Sequence, residues 1–150
     1  MPAFLDTSAL LKYFVEETGT DEVTVLIESA TDVWISELAT VEGVSALAKK
    51  VRKAEIMESE FRRLIGRFTQ FLNSGRCEIS PLDDEGKEMA RTILSSWALS
   101  HSLGSLDALQ LAAAVRAREG TGHMDFYSAD RRLLAAAQAQ GFTVKNPGVA

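Results

Sequence analysis

The feature that most constrains this chain is an alternation. Short apolar runs of three to five residues recur between stretches long enough to be helices. The runs are Ala3–Asp6, Asp32–Ser36 ("DVWIS"), Arg76–Ser80 ("RCEIS"), Met124–Ser128 ("MDFYS") and Phe142–Val144 ("FTV"). The intervening stretches carry helix patterns. One runs from Thr7 to Glu17 and stops at "TGT"; the next starts at Thr20 as N-cap, with Asp21 and Glu22 favoured by the helix dipole. A third spans Glu37–Arg52, capped by Ser36. A fourth spans Ile56–Asn73, with Phe61, Leu64, Ile65, Phe68, Phe71 and Leu72 near helical spacing and Gly75 at its end. Asp83 caps a fifth over Asp84–Ser100, a sixth covers Ser105–Gly120, and "ADRRLLAAAQAQ" is the seventh, stopped by Gly141. Strands alternating with helices predict an α/β fold with three α/β/α layers, around a parallel sheet of four to five strands.

The chain has 150 residues and no repeat or linker, which fits a single domain over residues 1–150. At this size it buries enough surface to fold without a disulfide or a structural metal. Its one cysteine, Cys77, reads as a buried structural thiol. "MPAFLD" lacks a basic segment followed by a long apolar run, and no stretch approaches 18 uninterrupted apolar residues. The default expectation is a cytoplasmic protein with no membrane span. A net charge of −5 argues against broad electrostatic adhesion to nucleic acid. The charge is uneven, however. From Lys49 to Arg67, seven basic residues face three acidic ones, which makes that segment +4 and leaves −9 elsewhere. The segment reads either as a solvated helix face or as a local phosphate-binding patch.

In open parallel sheets, ligands bind beyond the carboxyl ends of the strands. Asp6 closes the first run there, and Asp130 lies two residues past the fourth. Glu42 sits just over a turn beyond the second run, flanked by Val41 and Val44. Asp107 stands early in the sixth helix among Leu103, Leu106, Leu109, Leu111, Ala112 and Val115. A carboxylate in such apolar surroundings needs a partner. Each acid also has a plain reading: Asp6 and Asp130 as helix caps, Asp107 as a first-turn acid, Glu42 as a solvated side chain. Taken together, several converging carboxylates repel one another and call for a cation. All-oxygen donors favour a hard ion, Mg²⁺ or Mn²⁺. His101 and His123 fall in loop positions and read as surface residues.

Glu37 competes with Glu42. Five residues put them about 140° apart on a helix, so they cannot face the same way; Glu37 suits the first turn of the helix, and Glu42, flanked by Val41 and Val44, is the better candidate to point inward. Asp125 competes with Asp130 but lies at the amino end of its strand, the wrong edge. Ser8 and Ser128 each lie two residues from a proposed acid, where a hydroxyl can orient a carboxylate or hold metal-bound water. For Ser8, helix capping is the equal alternative.

These residues resemble a known family. "FLDTSALLKYF" resembles the opening motif of PIN-domain proteins. "ISELATVEGVSAL", "LDALQLAAAV" and "FYSADRRLLAAAQAQGFTVKNP" are similar to the second, third and fourth motifs, in order and across nearly the whole chain. The length and the closing "NP" look like the VapC toxin branch, the nuclease half of toxin–antitoxin pairs. The resemblance implies a PIN-like sandwich. It implies that Asp6, Glu42, Asp107 and Asp130 are the catalytic acids, holding one or two Mg²⁺ or Mn²⁺ ions, with Ser128 as the small hydroxyl residue before the fourth acid. It implies endoribonuclease activity on RNA, a VapB-type antitoxin whose C-terminal arm fills the groove, and a homodimer. Lys49, Lys50, Arg52 and Lys53 are candidate contacts to RNA or antitoxin. One position departs from the pattern: Gly43 follows the second acid where a bulkier apolar residue is more common.

Two rivals stand beside this reading. A haloacid-dehalogenase-type phosphatase also carries an Asp after its first strand, but it needs a second Asp where this chain has Ser8. A non-catalytic PIN-fold binding module would keep the fold and act through protein contacts.

Overall fold

The structure, a computed structural model, describes residues 1–29 and 32–150. Among them, five strands form one sheet: β1 (Ala3–Leu5), β2 (Val33–Ser36), β3 (Glu78–Ser80), β4 (Asp125–Tyr127) and β5 (Thr143–Lys145). All pairings are parallel and the order is β3-β2-β1-β4-β5. The helices are α1 (Thr7–Leu10), α2 (Thr20–Ser29), α3 (Ala39–Arg52), α4 (Glu58–Asn73), α5 (Asp84–Trp97), α6 (Ser105–Thr121) and α7 (Arg131–Ala139).

Successive strand residues point to opposite faces, and both faces are covered. Ala3 and Leu5 of β1, with Val33, Ile35 and Tyr127, join one core with Leu47, Leu64, Phe68 and Cys77. Phe4, with Phe126, joins a second core built on Leu111, Ala112, Leu133 and Ala137. The rings of Phe4 and Phe126 stack at 5.5 Å across the β1–β4 pair. Burying such a ring contributes about 1.5–3 kcal/mol. The expected three-layer α/β/α class is therefore present, with a first layer from α1 to α4 and a second from α5 to α7.

The strand order places the functional edge. From β1 the chain steps to β2 and β3 on one side, then returns to lay β4 and β5 on the other. The order reverses between β1 and β4, and at such a switch point loops diverge and leave a crevice at the carboxyl edge. Asp6 and Asp130 emerge on its two sides.

Several local expectations need correction. The first helix does not reach Glu17: α1 ends at Leu10 and tightens into a 3₁₀ turn over Leu11–Tyr13. Lys12 is drawn inward there, and its Nζ donates to the Thr18 carbonyl at 2.6 Å, folding the segment back. Thr20 does not cap α2. Its hydroxyl accepts from the Glu17 amide and donates to the Val15 carbonyl, so it ties the loop together instead. The third helix starts at Ala39 rather than Glu37; Ser36 accepts from the Leu38 amide in the turn before it. The fifth helix ends at Trp97 rather than Ser100. Asp83 caps that helix as expected, accepting from the Gly86 amide.

Gly43 leaves α3 unbroken, and its smallness has a steric cause. A Cβ there would come within 2.5 Å of Phe68 Cζ on α4. The glycine lets two helices close over the first core.

Candidate active site

Asp6 follows β1 directly, and its amide still donates to the Tyr127 carbonyl of β4. Its side chain is 5% exposed and fully engaged. Oδ1 accepts from the Ala9 amide at 2.9 Å and from the Ser8 hydroxyl at 2.7 Å. Oδ2 accepts from the Ser128 hydroxyl at 2.6 Å. Burial pushes the Asp6 carboxyl up to about 6; the Ser128, Ser8 and Ala9 donors pull against that, and nearby Asp130 adds to it. Asp6 is thus a helix cap whose carboxylate is also buried and held by two hydroxyls.

Asp130 caps α7, with Oδ1 accepting from the Arg132 amide at 2.9 Å. Asp107 is half-buried in the first turn of α6. Its carboxyl is raised by burial, then by Asp130 and Glu42, against pulls from a Gly104 backbone hydrogen bond and from Arg132. Glu42 lies on α3, where its Oε1 accepts from Thr7 Oγ1 at 2.9 Å and from Gln110 Nε2 at 2.6 Å. Asp130 thus lies within electrostatic range of both Asp6 and Asp107, and Glu42 within range of Asp107, which links four acids from four segments in a chain. Among the described residues, no three are gathered into a ready metal cage.

The flanking valines do not explain why Glu42 turns inward. Val41 is 69% exposed and Val44 also faces solvent. The buried stripe of α3 is Ala39, Gly43 and Leu47, and Glu42 borders it. Leu106, next to Asp107, is likewise exposed rather than core. Glu37 points away, accepting from the Leu82 amide at 2.9 Å. Asp125 lies at the amino end of β4, near Lys145 and His123. His101 and His123 are both exposed, and Cys77 is buried, with burial pushing its thiol up to about 11.

Ser8 serves the acid rather than capping the helix, whose cap is Asp6. Its hydroxyl donates to Asp6 and accepts from the Ala129 amide at 3.0 Å, bridging the loops after β1 and β4. Beside it opens a cleft of about 340 Å³, lined by Ser8, Ala129, Lys12, Lys49, Lys50 and Lys53 among others. Lys50 is paired there with Glu17 and Glu55. Lys49 and Lys53 have no ion-pair partner among the described residues. Arg52 lies outside the cleft lining. Arg62 and Arg63, farther along the basic segment, pair with glutamates of their own helix.

Two participants escaped the sequence reading. Thr7 looked like a routine helix start, and Gln110 did not stand out. Gln110 Nε2 donates to Thr7 Oγ1 as well as to Glu42. The available signal was a polar residue one turn after Asp107 in an otherwise apolar run. A third residue, Arg132, brings a cation to the rim, its Nε 3.9 Å from Asp130 Oδ1.

The donor chemistry fits a hard divalent cation. Every candidate ligand is an oxygen, and two of the acids, Asp6 and Asp107, are raised by burial and by a neighbouring acid, Asp130. Mg²⁺ usually takes only one or two protein carboxylates and completes its shell with water and substrate oxygens. A preformed cage of three is therefore not required.

The PIN domain family model matches residues 3–139. The chain belongs to the PIN domain family. Among curated proteins, none matches this sequence. Among solved structures, the fold is similar to that of a toxin–antitoxin complex from Klebsiella pneumoniae. The TM-score is 0.65 at 17% identity, covering 97% of each chain. It is also similar to a protein from Pyrobaculum aerophilum, with TM-score 0.63 at 17% identity, covering 97% of this chain and 89% of that one. A third similar structure is VapBC2 from Rickettsia felis bound to a promoter DNA fragment, with TM-score 0.63 at 15% identity, covering 97% and 98%. No helix among the described residues is long and apolar enough to cross a membrane.

Proposed function

We propose that this chain is a metal-dependent endoribonuclease and the toxin half of a VapBC-type toxin–antitoxin pair. One observation carries the reading: beside the switch point of the sheet, Asp130 perturbs both Asp6 and Asp107, and Glu42 perturbs Asp107, so acids from four segments are linked electrostatically. The fold shared with toxin–antitoxin complexes supports the toxin assignment. The partners it carries are an RNA substrate, a VapB-type antitoxin and a second copy of the chain, in the cytoplasm.

Asp6, Asp107, Glu42 and Asp130 would hold Mg²⁺ or Mn²⁺. When bound, such an ion supplies an acidified water at neutral pH and offsets charge developing on the phosphate oxygens. The chain's own residues do the rest. Ser8, Ser128 and the Ala9 amide fix both oxygens of Asp6, so this acid needs no reorientation. Lys49 and Lys53 present free ammonium groups along the cleft beside Ser8, where the phosphates flanking a scissile bond would pass.

The test is cleavage of structured RNAs with Mn²⁺ present and after chelation, for the wild-type chain and for Asp6→Asn. Metal-dependent cleavage by the wild type, lost in a folded Asp6→Asn protein, is the expected outcome. Equal cleavage by both proteins rejects the acidic edge as the catalytic site. One observation favours the rival binding module: no three acids stand ready-caged among the described residues. A wild-type chain that binds antitoxin and cleaves no RNA would establish that rival.

A further inference from the structure

Gln110 occupies an unusual position. It is 3% exposed, on the most deeply buried helix, among Ala108, Leu111, Ala112 and Ala113. Its Nε2 donates to two atoms at once, Glu42 Oε1 at 2.6 Å and Thr7 Oγ1 at 2.9 Å. Thr7 Oγ1 itself donates to the same Glu42 oxygen. The three groups close a triangle linking α6, α3 and α1. The other end of the amide is unsatisfied: Gln110 Oε1 is buried with no hydrogen-bond partner among the described residues.

A buried amide carbonyl without a partner costs stability. A leucine would fill a similar volume without that cost. The bond from Nε2 to Glu42 offsets that cost, so the side chain is close to neutral for stability, and its distinctive contribution is what the N–H group does to Glu42. Both hydrogen bonds converge on Oε1. Oε2, left without a hydrogen bond among the described residues, is the oxygen available to the acidic edge.

We infer that Gln110 is a positioning residue for Glu42: with Thr7 it holds one carboxylate oxygen and sets the direction of the other. Partners of this kind, which orient an acid without touching the ion, govern metal affinity through ligand geometry. The inference rests on the metal-dependent reading of the acidic edge. It adds that one of the four acids is preset by a buried amide rather than by solvent.

The experiment is calorimetric titration of the full chain with Mn²⁺, alongside thermal unfolding in chelator. Gln110→Leu should bind Mn²⁺ about tenfold more weakly while unfolding at the wild-type temperature or above. Thr7→Val attacks the same oxygen from the other side and should also weaken binding; Thr7→Ser, which keeps the hydroxyl, should restore it. In a Glu42→Gln background, Gln110→Leu should cost nothing further, because a residue acting through Glu42 has nothing left to position. Wild-type Mn²⁺ affinity in a folded Gln110→Leu protein overturns the assignment, and so do fully additive losses in the double variant. Failure of the wild-type chain to bind Mn²⁺ is a different result, since it removes the metal-dependent reading itself.

Discussion

Asp6 is in tension with its surroundings. A buried acid raised to about 6 prefers its proton in the folded state. Its folded value lies above the unfolded one, so its contribution to stability is present below about pH 4 and fades as pH rises through 6. In chelator, Asp6→Asn should therefore be more stable than wild type at pH 7.5, by up to about 3 kcal/mol from the shift. The two proteins should converge near pH 4. Denaturant melts at both pH values check this, and an unchanged difference across the range refutes it. Asp107 poses a separate question, because a first-turn acid also favours a helix N-terminus. Asp107→Asn should weaken Mn²⁺ binding in calorimetry; a change in melting temperature alone would reduce it to a helix residue. Legibility at this scale followed distance along the chain. Asp6 and Asp130 could be read because each stands next to the strand that delivers it. Thr7 and Gln110 could not, since their bond joins residues 103 apart and follows from how α1 meets α6. The inward turn of Glu42 was expected, but from valines that in fact face solvent.

At the scale of elements, α3 and α4 show how one small residue sets a distance between helices. Gly43 faces Phe68, whose ring packs edge-on against Phe14 at 5.3 Å and is itself buried. Gly43→Ala gains about 1 kcal/mol in helix propensity. It also forces a methyl to within 2.5 Å of a ring that cannot swing freely. Overpacking of this kind costs about 1–3 kcal/mol, so the net change should be destabilising by about 1 kcal/mol. Gly43→Ala combined with Phe68→Leu should lose the clash and recover part of that, as urea melts of the pair would show. The sequence exposed Gly43 only as a departure from a family pattern, while its cause lies in α4, 25 residues on. Helix ends were misread for the same reason. Glu17 was assigned to the first helix because nothing local shows Lys12 reaching the Thr18 carbonyl. The start of α5, marked by Asp83, was read correctly, whereas Thr20 and Ser36 make their hydrogen bonds in the loops before their helices.

At the scale of the molecule, the proposed substrate is a polyanion while the chain carries a net −5, so the two cleft-lining lysines that are unpaired among the described residues matter. Removing Lys49 and Lys53 together should reduce the slope of log affinity against log salt by about 1.4, close to 0.7 per single-stranded phosphate contact. RNA binding by an inactive variant at several salt concentrations measures this; an unchanged slope places the RNA elsewhere. The proposed pairing also makes a genetic forecast, that a reading frame adjacent to this one encodes a small DNA-binding protein whose co-expression relieves any growth arrest. The overall class was legible because alternating strands and helices leave few topologies open. The strand order was not, and it is the order that gives the carboxyl edge its crevice. That order has a temporal consequence. β1 lies in the middle of the sheet, and its partner β4 follows it only after β2, β3 and six helices have been made. Until the segment through Asp130 has emerged, Asp6 has β2 on one side but lacks β4 on the other, with the Ser128 hydroxyl and Asp130 that follow it. A nascent chain, or one cut short before β4, carries the first three acids without the β4 side of the crevice, so the proposed cleavage can begin only after Asp130 has been made.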